Sequence, residues 1–236
     1  DSANQTVWFQ VEEGGRVGDF YGTGYLKNEN GDFILTSSGN YIADNTLKKL
    51  GNYNPDFTLG WSNNFNYKNW NFSLLFDWRQ GGELVSRTSA LGNVGGQLAE
   101  TSYRPDAGIV AQGVVNTGTA TNPVYVTNTT AISAESYYRQ YYDRNHEENN
   151  TYDASFVKFR QFSLGYTFDI KEGLFGIKNG GDFSISLIGN NLFAISKVPH
   201  IDPEQLAVQG NGFVSGVEDM SYASTRSIGM KLGVNF

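Results

Sequence analysis

Cysteine is absent from the chain, and histidine is nearly so, with His146 and His200 its two imidazoles. The first absence excludes disulfides, thiolate nucleophiles and every cysteine-ligated zinc or iron–sulfur centre. The second leaves no cluster from which a histidine metal site could be built, and no cofactor or metal is expected. Charge is scarce as well: 17% of residues are Asp, Glu, Lys or Arg, against about 25% in an ordinary soluble domain. The balance is acidic, a net −7 with no Lys/Arg cluster, so nucleic acid is not an expected partner. No apolar run approaches the roughly 18 residues of a membrane-crossing helix. The chain opens at Asp1 without the n-region or h-region of a signal peptide, as a mature protein or a fragment would.

What fills the space left by charge is glycine (28 residues), aromatics (14%) and uncharged polar residues. That mixture suits a transmembrane β-barrel, whose wall carries apolar side chains only at alternate positions. Period-two patterning is strongest from Ile228 to Phe236, where every even residue is large and apolar and every odd one is Gly, Lys or Asn. Phe57, Leu59, Trp61, Phe65 and Tyr67 alternate with polar or small residues, as do Trp70, Phe72, Leu74, Phe76 and Trp78. The two runs are joined by Lys68-Asn69 alone, which predicts an antiparallel hairpin. Phe162, Leu164, Tyr166 and Phe168 form a further run, and Phe183, Ile185 and Leu187 another. Upstream of Phe162 the apolar residues are Val157 and Phe159, on the other parity, so the reading is a β-bulge at Arg160-Gln161 or an exit from the bilayer there.

The expected fold is therefore all-β: an antiparallel up-and-down transmembrane barrel segment with about five spanning strands and long extracellular loops. Spanning strands are expected at 57–68, 69–80, 153–169, 182–193 and 223–236. The connection at Lys68-Asn69 is minimal, that from Ile170 to Gly181 is moderate and glycine-punctuated, and those at 81–151 and 194–221 are long. Barrels of the outer membrane keep short turns on the periplasmic side and long loops outside, which places 81–151 and 194–221 on the cell surface and the chain's end at the periplasmic rim. Residues 1–56 read as an extracellular region with short strands near Thr6–Val11 and Phe33–Leu35, a turn at Asn30-Gly31, and a glycine-rich loop from Gly14 to Gly24. The single helical candidate is Ala134 to Asn145, N-capped by Ser133.

Catalysis finds little support, because nothing fixes Asp143, His146, Glu147 and Glu148 at a productive separation. The Asn28 to Asp32 stretch lacks the closing Glu of a calcium loop and reads as a turn. Tyr137, Tyr138, Tyr141 and Tyr142 would make one broad aromatic face on a helix. They are the candidate substrate-binding residues, as a stacking surface for sugars or peptides; the plainer alternative is packing against a neighbouring loop. Phe236, an aromatic after an alternating run, is the candidate barrel-assembly signal, the alternative being simple anchoring at the membrane interface.

Six stretches, in order, resemble the C-terminal barrel portion of the SusC/RagA family of TonB-linked outer-membrane transporters of Bacteroidetes-type bacteria. They are Arg16-Val17-Gly18-Asp19-Phe20-Tyr21-Gly22, Gly51-Asn52-Tyr53-Asn54-Pro55-Asp56-Phe57, the strand from Tyr152 to Phe168, Asn190-Asn191-Leu192-Phe193, Ile201-Asp202-Pro203-Glu204, and Thr225 to Phe236. Tyr53 departs from the family, which has Pro at that place. The resemblance implies a segment of a 22-stranded barrel in the outer membrane of a Gram-negative bacterium, not an enzyme. It implies as partners the rest of the barrel and its plug, TonB through an N-terminal part not in this sequence, a SusD-like surface lipoprotein, and outer-membrane lipid. The implied function is TonB-dependent import of oligosaccharides or peptides. The rivals are a passive or structural outer-membrane barrel and a secreted glycan-binding β-sandwich.

Overall fold

The structure is a computed structural model that describes residues 7–171, 180–209 and 212–235. The chain divides into two compact units. One, here the sheet unit, comprises Pro55–Gly81, Ala154–Lys197 and Ala223–Phe236; the other, the loop unit, comprises Asp1–Asn54, Gly82–Asp153 and Val198–Tyr222. Phe236 and residues 172–179, within the expected moderate connection, lie outside the described residues.

The sheet unit is one antiparallel sheet of five long strands: Phe57–Tyr67, Trp70–Gln80, Phe156–Ile170, Gly181–Ser196 and Ser227–Asn235, each hydrogen-bonded to the next in sequence. Its alternation follows from the pleat, which sends successive side chains to opposite faces. Leu59 stands opposite Trp78, Trp61 opposite Phe76 and Phe65 opposite Phe72. The row continues through Leu164 and Leu187 to Met230. Rings interlock along it, with Trp70 edge-on to Tyr166 at 4.8 Å and Phe76 stacked on Phe159 at 4.5 Å. This apolar face is open: Trp61 is 49% exposed, Met230 65% and Ile228 71%. The opposite face carries Asn64, Asn66, Ser73, Asp77, Ser184, Lys231 and Asn235, with Asn71 bonded to Asn66 and Asn235 to Asp182.

Parity across the third strand is kept by a bulge. On both sides its register shifts between Phe159 and Gln161, leaving Arg160 as the extra residue. Val157 and Phe159 thereby stay on the face of Phe162 and Leu164, and no exit from the bilayer is needed to explain the pattern. Beside Arg160, the fourth strand passes through Asn191 in the left-handed region, φ 50°. Arg160 meets Asp77 of the second strand at 2.7 Å. At the hairpin, Lys68 adopts φ 52°. The next residue, Asn69, accepts from the Thr167 N–H and donates back to the Thr167 carbonyl, tying the turn to the third strand.

The loop unit is built differently. Asp19–Tyr25 is a strand, not the glycine-rich loop expected for Gly14–Gly24; every residue of it is buried, and it lies between Trp8–Phe9 and Ala43–Asn52. A strand buried on both sides shows no alternation, which is why its pattern was illegible. Short strands at Ile34–Leu35, Val114–Asn116 and Tyr125–Thr127 form a second sheet, and Glu83–Ser86 pairs with Thr151–Asp153 and Val217–Glu218 in a third. Among the described residues the unit also carries two α-helices. Helix α1, Arg87–Val94, was not anticipated; helix α2, Ala134–Tyr141, begins where Ser133 caps it but ends four residues sooner than Asn145. One core gathers Val7, Phe20, Val85 and Val217, and a second gathers Tyr25, Leu35, Tyr41 and Ala111.

Candidate functional site

The two motifs that open the chain close on each other in the loop unit. Asp19 accepts from the Arg16 N–H at 3.0 Å, the Asn52 amide at 2.7 Å and the Lys49 ammonium at 2.7 Å. The Lys49 and Asn52 donors hold its carboxyl at about 2, below its ordinary 3.8. The Asn52 amide nitrogen also donates to the Val17 carbonyl, and its oxygen accepts from the Asn54 N–H. Asn54 reaches the same Val17 carbonyl at 2.7 Å. Gly18 sits inside this clasp at φ 96°, where an added Cβ would lie 2.4 Å from the Asn54 amide nitrogen. Only glycine fits that conformation and that approach.

A buried carboxylate organises the other end. Glu218 accepts from the Ser86 and Thr88 hydroxyls at 2.9 and 2.5 Å and from the Ser221 N–H at 3.0 Å. Since Ser86 is the N-cap of α1, Glu218 places a negative charge at the helix end where the backbone dipole favours one.

Between these anchors the α2 tyrosines divide. Tyr137 stacks on Tyr141 at 5.8 Å and 14°, and both face Tyr41, which in turn meets Tyr25 and Phe33. Tyr138 points elsewhere: it is 8% exposed, and its hydroxyl lies 2.9 Å from the carbonyls of Glu100 and Tyr103. Tyr142 follows the helix as its C-cap, edge-on to Tyr141 at 4.9 Å. The structure thus stacks Tyr137 on Tyr141 and turns Tyr138, edge-on to Tyr137 at 5.2 Å, towards the Glu100 and Tyr103 carbonyls. Burial pushes the hydroxyls of Tyr25, Tyr41 and Tyr142 up, and that of Tyr152 to about 12, so this layer is neutral at every physiological pH. Its rim is charged: Glu148 pairs with Lys27 at 2.6 Å and Lys48 at 3.0 Å. Gly24 lets the Glu148 carboxylate approach the backbone, where a Cβ would meet it at 2.1 Å. Chemically the arrangement offers a rigid, aromatic, ion-pair-bordered surface, with the Thr23 hydroxyl 2.9 Å from His146 Nδ1 at its edge.

Sequence reasoning singled out none of Asp19, Asn52 and Glu218 individually. The first two were visible only as members of quoted motifs, and Glu218 stands in a stretch with no local pattern.

TonB-dependent receptor P3 of Formosa agariphila is 25% identical over 249 residues, taking in 96% of this chain and 23% of that protein. TonB-dependent receptor P26 of the same organism is 28% identical over 223 residues, 89% of this chain and 19% of that protein. The chain therefore spans about a fifth of the length of the curated relatives it matches. Among solved structures, the RagAB peptide importer in its open-open state superposes with a TM-score of 0.51 at 14% identity, covering 99% of this chain and 24% of that one. The closed-closed state gives 0.50 at 14% identity, covering 98% and 25%. No family model matches the chain.

Proposed function

We propose that this chain, a SusC/RagA-type segment of a TonB-linked outer-membrane barrel by sequence and by fold, forms part of the wall and outer loops of an energised importer. Its cargo is oligosaccharides or peptides too large for passive diffusion. The observation that carries this reading is the two-faced sheet. An apolar face this broad and open needs a non-aqueous neighbour, and the polar face behind it, with Asn64, Asn66, Lys231 and Asn235, suits a lumen. Peptide import, named for the RagAB neighbours, is one of the two cargo classes the proposal admits.

In this reading residues 1–56, ahead of the barrel portion 57–236, and the loops 81–151 and 194–221 within that portion lie outside the cell. They meet a SusD-like lipoprotein that closes over captured substrate. TonB and the plug act through the remainder of the protein, and the unpaired edges of the first and fifth long strands are met by further strands of the same barrel, since an open edge in lipid is costly. Of the candidate tyrosines, the half-buried Tyr137, Tyr141 and Tyr142 form part of the surface that substrate encounters, while Tyr138 is buried with its hydroxyl on the Glu100 and Tyr103 carbonyls. Phe236 serves assembly, so its deletion lowers outer-membrane yield more than transport per assembled molecule.

Uptake by intact cells tests the proposal. Import that stops when the proton-motive force is collapsed supports it; import that persists points to a passive barrel, and solubility without detergent to a secreted sandwich. Tyr138→Ala with Tyr142→Ala tests direct contact. Loss of uptake with assembly intact supports contact, and unchanged uptake removes these residues from it.

A further inference from the structure

A second feature of the loop unit is a cleft that shares only Tyr138 with the features above. It has a volume of about 250 Å³ and lies between the end of α1 and the outer side of α2, lined by Asn93, Gly95, Gly96, Arg104, Glu135 and Arg139 among others. That is smaller than the roughly 300–1,000 Å³ of pockets that enclose whole small molecules, so it suits the end of an oligomer and not its length. Asn93, in the last turn of α1, is 1% exposed, and neither its carboxamide nitrogen nor its oxygen has a hydrogen-bond partner among the described residues. A buried donor and acceptor left together is an unusual cost for a folded protein to carry.

The charged groups around it differ in how firmly they are held. Arg104 is fixed, donating through Nη2 to the Gly96 carbonyl and through Nε to the Thr101 carbonyl at 2.6 Å. Gly96 makes room for it at φ 67°, where a Cβ would lie 2.5 Å from Nη2. Arg139 and Glu135 pair one turn apart on α2 at 3.0 Å and stand well into solvent, where such a pair holds weakly. The cleft therefore carries two guanidinium groups against one carboxylate, a local positive excess in a chain of net charge −7.

We infer that this cleft captures the C-terminal end of a short peptide. One acceptor and one donor in the plane of the Asn93 carboxamide match a backbone N–H and C=O, and the guanidinium groups of Arg104 and Arg139 match the terminal carboxylate. The carboxamide is covered in this state, so the peptide end reaches it only as the lining of the cleft opens. A sugar is the poorer fit: Tyr138 is the one aromatic lining residue, and it is buried with its hydroxyl engaged, so no open ring is offered for stacking. The inference rests on the importer reading and names its cargo at one site.

The test uses the full-length transporter purified with its lipoprotein. The probe is a mixture of hexapeptides of randomised sequence, with free C-terminal carboxylates or with the same peptides amidated, and bound peptide is counted by mass spectrometry. The free acids should bind about tenfold or more over the amides, as loss of a charge-assisted contact implies. Arg104→Gln and Asn93→Leu should each remove most of that preference. Arg139→Ala, an exposed site that leaves folding intact, should reduce it by a smaller factor. Equal binding of acids and amides overturns the inference, as does a preference that survives both arginine substitutions. If the wild-type protein imports hexasaccharides under the proton-motive force but binds no peptide, the inference falls and the importer reading stands. If it imports neither, both fall.

Discussion

The sheet unit and the loop unit solve opposite problems with the same kinds of residue. In the sheet, Leu232, Met230 and Ile228 are more than half exposed, and the polar side chains stand on the other face. In the loop unit, Phe20 and Val85 are fully buried beside the buried polar groups Asp19, Asn52, Ser86 and Glu218. Apolar burial in water stabilises by roughly 25 cal/mol per Å², and the sheet forgoes most of it within its own fold. Its ladder supplies the backbone hydrogen bonds that lipid cannot, and lipid supplies the apolar surroundings. In the proposed arrangement the loop unit meets water, and it has its own cores and a hydrogen-bonded hub for the polar groups it buries. One unit is specified by pattern and solvent, the other by individual contacts.

The contrast breaks most severely if charge is tolerated on the apolar face. Leu187→Arg, between Leu164 and Met230, should cost about 2–4 kcal/mol near the membrane midplane and deplete folded barrel in the outer membrane. Its neighbour Ser186→Arg, on the polar face, should leave the yield nearly unchanged. Heat-modifiability on gels measures both, and equal yields would remove the distinction between the faces.

Next in size is the hub of the loop unit. Asn52→Leu takes one donor from the Asp19 carboxylate, which keeps Lys49 and the Arg16 N–H, and one from the Val17 carbonyl, which keeps Asn54, and so weakens the clasp. It should open residues 8–54 to protease while barrel assembly continues. Gly18→Ala, forced into φ 96° against Asn54, should act the same way by about 1–2 kcal/mol. The hub also has a pH signature. Because the Asp19 carboxyl is held at about 2 against 3.8, its contribution is complete above 3.8 and disappears as pH falls through 2. Protease protection of the wild-type loops should decline across that window, and Asn52→Leu, by removing a donor that lowers the folded pKa, should make the decline smaller and end it at a higher pH.

The smallest effect expected is at the bulge. Arg160→Met removes the contact to Asp77, a pair a quarter to a third exposed, so solvent screening limits the loss to about 0–1 kcal/mol. Deleting Arg160 instead throws Val157 and Phe159 onto the polar face and should be far worse. If the two variants unfold in denaturant alike, the bulge does not set the parity.

How much of each unit was legible follows from the same contrast. Alternation made the long strands readable, and the parity change between Phe159 and Phe162 located the bulge at Arg160. Ser133 marked the start of α2, but nothing marked its end at Tyr141, where the chain turns through Asp143 and not at a glycine. Asp19–Tyr25 was obscured by Gly22 and Gly24 and by burial on both sides. Helix α1 carries Gly92 and no apolar stripe, so its position depends on Glu218, 132 residues beyond Ser86. Of the candidate site, the four tyrosines were visible but their division was not, because the hydroxyl of Tyr138 is directed by carbonyls at Glu100 and Tyr103 that no local pattern connects to it.

The most direct test of the membrane-wall account exploits the missing cysteine. Single cysteines placed in turn at Ile228 through Val234 of the full-length protein, with any others removed, can carry a fluorophore read for quenching by a lipid-tethered nitroxide. Quenching should alternate strictly, strong at Ile228, Met230, Leu232 and Val234 and weak at Gly229, Lys231 and Gly233. Uniform quenching along the run, or none at any position, would contradict the claim that this sheet is a membrane wall.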